Sequence, residues 1–155
     1  EIRKKYFGER KQETLIAGDM FEMEWKDQID TSIPTLLIVS GVFQYFFEDK
    51  IIEFIKNLKK EFPYGELIFD TARKKTGLKF ANWYIRRTGN LEALMHFYIE
   101  DSVDFSKKTD TILVEELAFF KDARELLRKK LKFITKLFMK IADYKRQALI
   151  IHLKW

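Results

Sequence analysis

The sequence predicts an α/β fold, a largely parallel sheet with helices packed against it. Three observations carry that expectation. Residues 35–40, TLLIVS, are almost all β-branched or leucine, the pattern of a short strand buried on both faces. Residues 48–62 place Ile51, Ile52, Phe54, Ile55, Leu58 and Phe62 on one helical stripe, with Lys56, Lys59, Lys60 and Glu61 outside it. Residues 66–70, ELIFD, read as a second strand. Strand, helix and strand within about 35 residues make a βαβ unit with a right-handed crossover.

The other elements follow in chain order. Residues 1–7 read as the tail of a helix stopped by Gly8. Glu1, Ile2 and Arg3 have mid-helix character and no cap, which suggests chain lost upstream. Residues 14–17 form a short strand ended by Gly18 and Asp19, and residues 21–28 a short helical turn. Pro34 leads into the buried strand, and Gly41 ends it. Pro63-Tyr64-Gly65 stops the first long helix. Residues 72–98 are less regular: Phe80, Trp83, Tyr84, Phe97 and Tyr98 alternate with Arg73, Lys74, Lys75, Arg86 and Arg87. Residues 111–117, TILVEEL, are another strand. Residues 121–147 read as one long amphipathic helix, with Leu127, Leu131, Ile134, Phe138 and Ile141 as its core face. Residues 148–155, ALIIHLKW, form the last strand.

Composition narrows the function classes. At 155 residues, 46% hydrophobic and 15% aromatic, the chain can bury the core of one domain. It has no cysteine and two histidines, which excludes disulfides, thiolate metal sites and a His-rich zinc site; no metal is expected. The net charge is +5, but 29 basic and 24 acidic residues are interspersed, so the surface is mixed. No apolar run approaches the roughly 20 residues of a membrane span. Residues 1–12 have no apolar signal region, so a cytoplasmic location is the default.

Function is expected around residues 40–46. A buried strand ending in a small residue and an aromatic-lined turn is where an open α/β sheet places its ligand. The P-loop, the glycine-rich dinucleotide fingerprint, the nucleophile elbow and the calcium loop are all absent. Asp19 is either a carboxylate accepting from a ligand amino group or the cap of the next turn, and position alone favours the cap. His96 could serve as a general base, although a lone histidine among aromatics is more often structural. His152 sits inside a strand and has no assigned role. The basic helix at 121–147 could meet a membrane surface or nucleic acid, but a core helix with a solvated charged face is the preferred reading. The aromatics at 80–98 are read as a substrate cover rather than plain core.

Several segments, EIRKKYF, LIAGDMFEMEW, LLIVSGVFQYFFEDKI, KKEFPYGELIFDT, FFKDARELLRKKLKF and ALIIHLKW, resemble in family order the later half of a class I S-adenosylmethionine-dependent methyltransferase. The similarity is greatest to the leucine carboxyl methyltransferase family, and within it to the tetracenomycin polyketide synthesis O-methyltransferase-like branch. The resemblance implies a partial Rossmann-like class I methyltransferase sheet with flanking helices, its first two strands absent from this chain. Residues 1–155 would be the C-terminal part of one methyltransferase domain, with 72–108 as substrate cover. It implies S-adenosylmethionine as cofactor and an oxygen of a small molecule, polyketide-like, or a carboxylate as acceptor. Gly18, Asp19 and Met20 would hold the adenine side. Ser40 and Gly41 would lie beside the methionine part, although family members often carry an acidic residue at the position of Ser40. Phe43, Gln44 and Tyr45 would floor the substrate site, with Trp83, Tyr84 and Phe97 in the cover and His96 as the candidate base. The family's glycine-rich loop and ribose-binding acid would lie upstream, so a fragment, or a missing segment supplied by a second chain or a homodimer, is expected. A non-catalytic half-domain or swapped dimer, and less so an RNA-binding domain, stay open as alternatives.

Overall fold

The computed structural model describes residues 2–8 and 11–155, apart from the side chain of Phe80. Glu1 and that side chain, both read above, lie outside the described residues. Among the described residues four strands form one open sheet: β1 (Thr35–Val39), β2 (Gly65–Ala72), β3 (Ile112–Ala118) and β4 (Ala148–Lys154). The spatial order is β1-β2-β4-β3. β1 and β2 are parallel, as the βαβ reading requires, and β4 runs antiparallel to both β2 and β3. The fold is thus α/β with a mixed sheet and flanking helices.

One face of the sheet makes the core. The register pairs Leu67 with Leu153 and Phe69 with Ile151, so these side chains form continuous apolar rows. The helix α2 (Glu48–Glu61) lies on them through Ile51, Ile55 and Leu58, all wholly buried. Each such side chain contributes about 1.5–3 kcal/mol by leaving water. Phe69, Phe97 and Phe105 continue the core as a ring cluster, with centroids 5.5–6.4 Å apart. Phe105 comes from α4 (Ser102–Lys108). Asp101 caps that helix by accepting from the N–H groups of Val103 and Asp104 at 2.8 and 3.1 Å. These amides, that of Asp104 first, hold the Asp101 carboxyl below the usual carboxylate range.

Three sequence expectations are corrected. β1 is not buried on both faces: Leu36 and Ile38 are 53% and 68% exposed. Among the described residues the strand pairs only with β2, and no helix covers its second face. Residues 14–17 are not a strand. They run without regular hydrogen bonding, set apart from β1 by a cavity. Residues 121–147 are not one helix but a hairpin, α5 (Lys121–Leu126) and α6 (Phe133–Tyr144). Arg128, Lys129, Lys130 and Lys132 crowd like charges at the break. Arg124 folds back on the buried Asp143, its Nε and Nη2 donating to Oδ2 at 3.0 and 2.7 Å, while Phe120 N–H donates to Oδ1 at 2.9 Å. The expected core face of this segment is exposed at Leu127, Ile134, Phe138 and Ile141.

The remaining helices are α1 (Ile2–Phe7), ended by Gly8 in the left-handed region, and α3 (Lys75–Arg87). Among the described residues no helix is long and apolar enough to cross a membrane.

Candidate functional site

The chain leaves the carboxyl end of β1 through Ser40 and Gly41. Gly41 has φ +69°, a conformation glycine adopts without a Cβ penalty. Two contacts fix the turn. The Gly41 N–H donates to Asp70 Oδ1 at 2.6 Å, and Gln44 Nε2 donates to the Gly41 carbonyl at 3.1 Å. A 3-10 turn, Phe43–Tyr45, carries the chain toward α2. The Gln44 carbonyl accepts from the N–H groups of His96 and Phe97 at 2.6 and 3.3 Å. Ile99 N–H in turn donates to the carbonyl of Ala72 at 2.9 Å, at the end of β2. The β1–α2 loop, the end of β2 and residues 96–99 are thereby tied into one unit.

A cavity of about 680 Å³ opens beside this unit, between residues 14–20 and the flank and carboxyl end of β1. Leu15, Ile16, Gly18, Met20, Ser40 and Val42 are among its walls. Trp25 supports the wall: its Nε1 donates to the Met20 carbonyl at 3.0 Å, and its ring stacks on Phe62 at 5.8 Å. The lining is mostly apolar, with Thr14, Ser40 and backbone groups as polar features. Such a surface suits a flat, partly apolar ligand with a few orienting hydrogen bonds.

The structure divides the sequence-derived site residues. Gly18, Met20 and Ser40 meet at the cavity, and Gly41 turns the chain beside it. Asp19 is exposed, and its Oδ1 accepts from Phe21 N–H at 2.9 Å, the turn-capping geometry. Gln44 is half-buried and Tyr45 exposed on the neighbouring turn. Phe43 and Phe97 are wholly inside the core, 6.2 Å apart and edge to face, so they back the loop rather than line a surface. His96 is exposed and packs on Phe47 at 4.3 Å. Trp83 and Tyr84 stand exposed on α3, outside the cavity walls, with the Arg87 guanidinium 3.9 Å above the Trp83 ring.

Sequence reasoning missed two positioning residues. Asp70 ends the predicted strand ELIFD, which is the one local signal; its partner Gly41 lies 29 residues earlier and no local pattern links the two. Asn82 holds the 94–98 stretch by donating to the Met95 carbonyl and accepting from the Met95 N–H, both at 2.7 Å. No sequence pattern marks it. A scan against protein-family models finds no match to this chain, and a search of curated proteins finds none either.

Proposed function

We propose that this chain carries the later half of an S-adenosylmethionine-dependent O-methyltransferase domain, acting on an oxygen of a small molecule, polyketide-like, or on a carboxylate. The cavity at the carboxyl end of β1 carries the reading, because open α/β sheets bind ligands there. The mixed order β1-β2-β4-β3 is compatible with the later half of such a sheet. The walls fit the cofactor's less polar portions: Leu15, Ile16, Met20 and Val42 offer apolar contact, and Ser40 a hydroxyl.

When bound, the cofactor supplies a methyl group already electrophilic on its sulfonium. The chain's own residues then need mainly to orient the acceptor oxygen and exclude water. Gly41, clamped by Asp70 and Gln44, fixes the turn that would bring Ser40 and Val42 against the ligand. His96, hydrogen-bonded through its backbone to Gln44, is the histidine placed next to that turn and is the candidate to take a proton from the acceptor.

Amide resonances test the reading. Titrating the chain with S-adenosylmethionine should perturb residues 18–20 and 40–44, with an affinity on the order of millimolar, about −4 kcal/mol, for a half-site. Ser40→Phe should abolish those shifts. Absence of perturbation, or perturbation centred elsewhere, would refute it.

The free edge of β1 favours a second reading, a half-domain completed by a strand from another chain. Light scattering across protein concentration distinguishes it, since a strictly monomeric chain would exclude self-pairing.

A further inference from the structure

The α5–α6 hairpin turns its most apolar side outward. On α6, Phe133, Ile134, Leu137, Phe138 and Ile141 share one stripe, at i, i+1, i+4, i+5 and i+8. All five are exposed, Phe133 at 78%, Ile134 at 65% and Phe138 at 68%. The side turned to the protein carries Met139, Ala142 and the buried Asp143 instead. Charge is concentrated on the same hairpin. Ten of the 29 basic residues and three of the 24 acidic ones lie in residues 121–147, so this segment carries +7 and the rest of the chain −2.

The two features are interleaved. Lys136 and Lys140 border the stripe, Lys132 stands at its head, and Lys145 and Arg146 follow its end. A groove of about 540 Å³ sets Glu125 and Arg128 against Phe133, Lys136, Leu137 and Lys140. Lysine stems can lie along apolar surface while their ammonium groups reach the level of phosphates.

We propose that the α5–α6 hairpin docks on an anionic phospholipid surface, with α6 lying in the plane of the interface rather than spanning the bilayer. A second copy of the chain would set +7 against +7. A nucleic acid would match the charge and could stack on the phenylalanines but would leave the exposed Ile134, Leu137 and Ile141 without apolar burial. An anionic lipid surface meets both demands at once. The inference rests on the hairpin alone and is independent of the methyl-transfer reading.

Vesicle flotation of the full chain tests it, with pure phosphatidylcholine against phosphatidylcholine containing about 30% phosphatidylserine. The chain should float with the anionic vesicles and be released as salt rises. The double variant Phe133→Asp/Phe138→Asp should lose about tenfold or more in partitioning, because it removes the exposed aromatic side chains. The double variant Lys136→Glu/Lys140→Glu should lose a similar factor on anionic vesicles only. Phe133, Phe138 and Lys140 are exposed and Lys136 is half-buried, and unchanged circular dichroism would verify that both variants fold. The proposal is overturned by no flotation, by equal flotation with both vesicle types, or by flotation that neither variant alters. It is equally overturned if these substitutions leave lipid binding intact and abolish a dimer or nucleic-acid binding instead.

Discussion

Gly65 opens β2 beneath the indole of Trp155, and replacing it by alanine should loosen that contact. A methyl group there would stand 2.2 Å from Trp155 Cζ2, 2.7 Å from Cε2 and 3.1 Å from the Phe62 carbonyl oxygen. Carbon atoms prefer about 3.5–4.0 Å, so the ring must move by more than about 1 Å. A movement of that size breaks the bond in which Trp155 Nε1 donates to the Phe62 carbonyl at 2.6 Å. That bond is worth about 1 kcal/mol. Overpacking adds about 1–3 kcal/mol, and the lost freedom of glycine in the unfolded chain returns about 0.5–1 kcal/mol. Gly65→Ala should therefore destabilise by about 2 kcal/mol, a fall in Tm of about 4–8 °C for a chain of this length. Thermal and urea unfolding followed by circular dichroism give the value. The decisive measurement is the cycle with Trp155→Ala. Without the indole, Gly65→Ala should be neutral or slightly stabilising. An equal cost in both backgrounds would show that the indole is not the obstacle.

Phe43→Ala should cost about 3–5 kcal/mol in urea unfolding, since the wholly buried ring packs on Phe54, Phe69 and Phe97; a cost near zero would mean the ring is not in the core. Asp70→Ala should leave the fold intact but speed hydrogen exchange at the Gly41 amide by about tenfold, the size of one lost hydrogen bond; unchanged exchange would show that Asp70 does not hold the turn. The capping amides lower the carboxyl pKa of Asp101 from its ordinary 3.8, so its contribution is complete above that value and is lost as pH falls through the lower folded one. Below pH 3.8 the Tm of the native protein should fall more steeply than that of Asp101→Asn, and identical acid limbs would contradict the cap.

Periodicity identified helices here but not the side on which they pack. α2 and the segment containing α6 both show apolar residues at helical spacing. In α2 the stripe is the core, with Ile51, Ile55 and Leu58 wholly buried. In α6 the stripe faces outward. The difference lies in the connections. α2 crosses between two parallel neighbours and must lie flat on the sheet they share. α5 and α6 join two antiparallel neighbours, which a short turn could have linked, so the hairpin is free to project and packs chiefly on itself. Arg124 and Asp143 fix that fold-back, and their separation along the chain carries no local signal.

The site divides along the same line between local and long-range information. The turn at Ser40 and Gly41 was legible because an apolar run ending in glycine is a local pattern; in the structure Ser40 lines a cavity and Gly41 turns the chain beside it. Residues 14–17 were misread because a strand is defined by its neighbour, and an apolar stretch of four residues reads the same with or without one. The consequence reaches the chemistry. Leu15 and Ile16 project into the cavity as a wall without ladder hydrogen bonds, so this side of the site is held mainly by the Trp25 indole and by side-chain packing. The opposite side is held by Asp70, Gln44 and backbone bonds from residues 96–97. A ligand or a pairing strand that engaged residues 14–20 would therefore order the less tightly held wall against a fixed one.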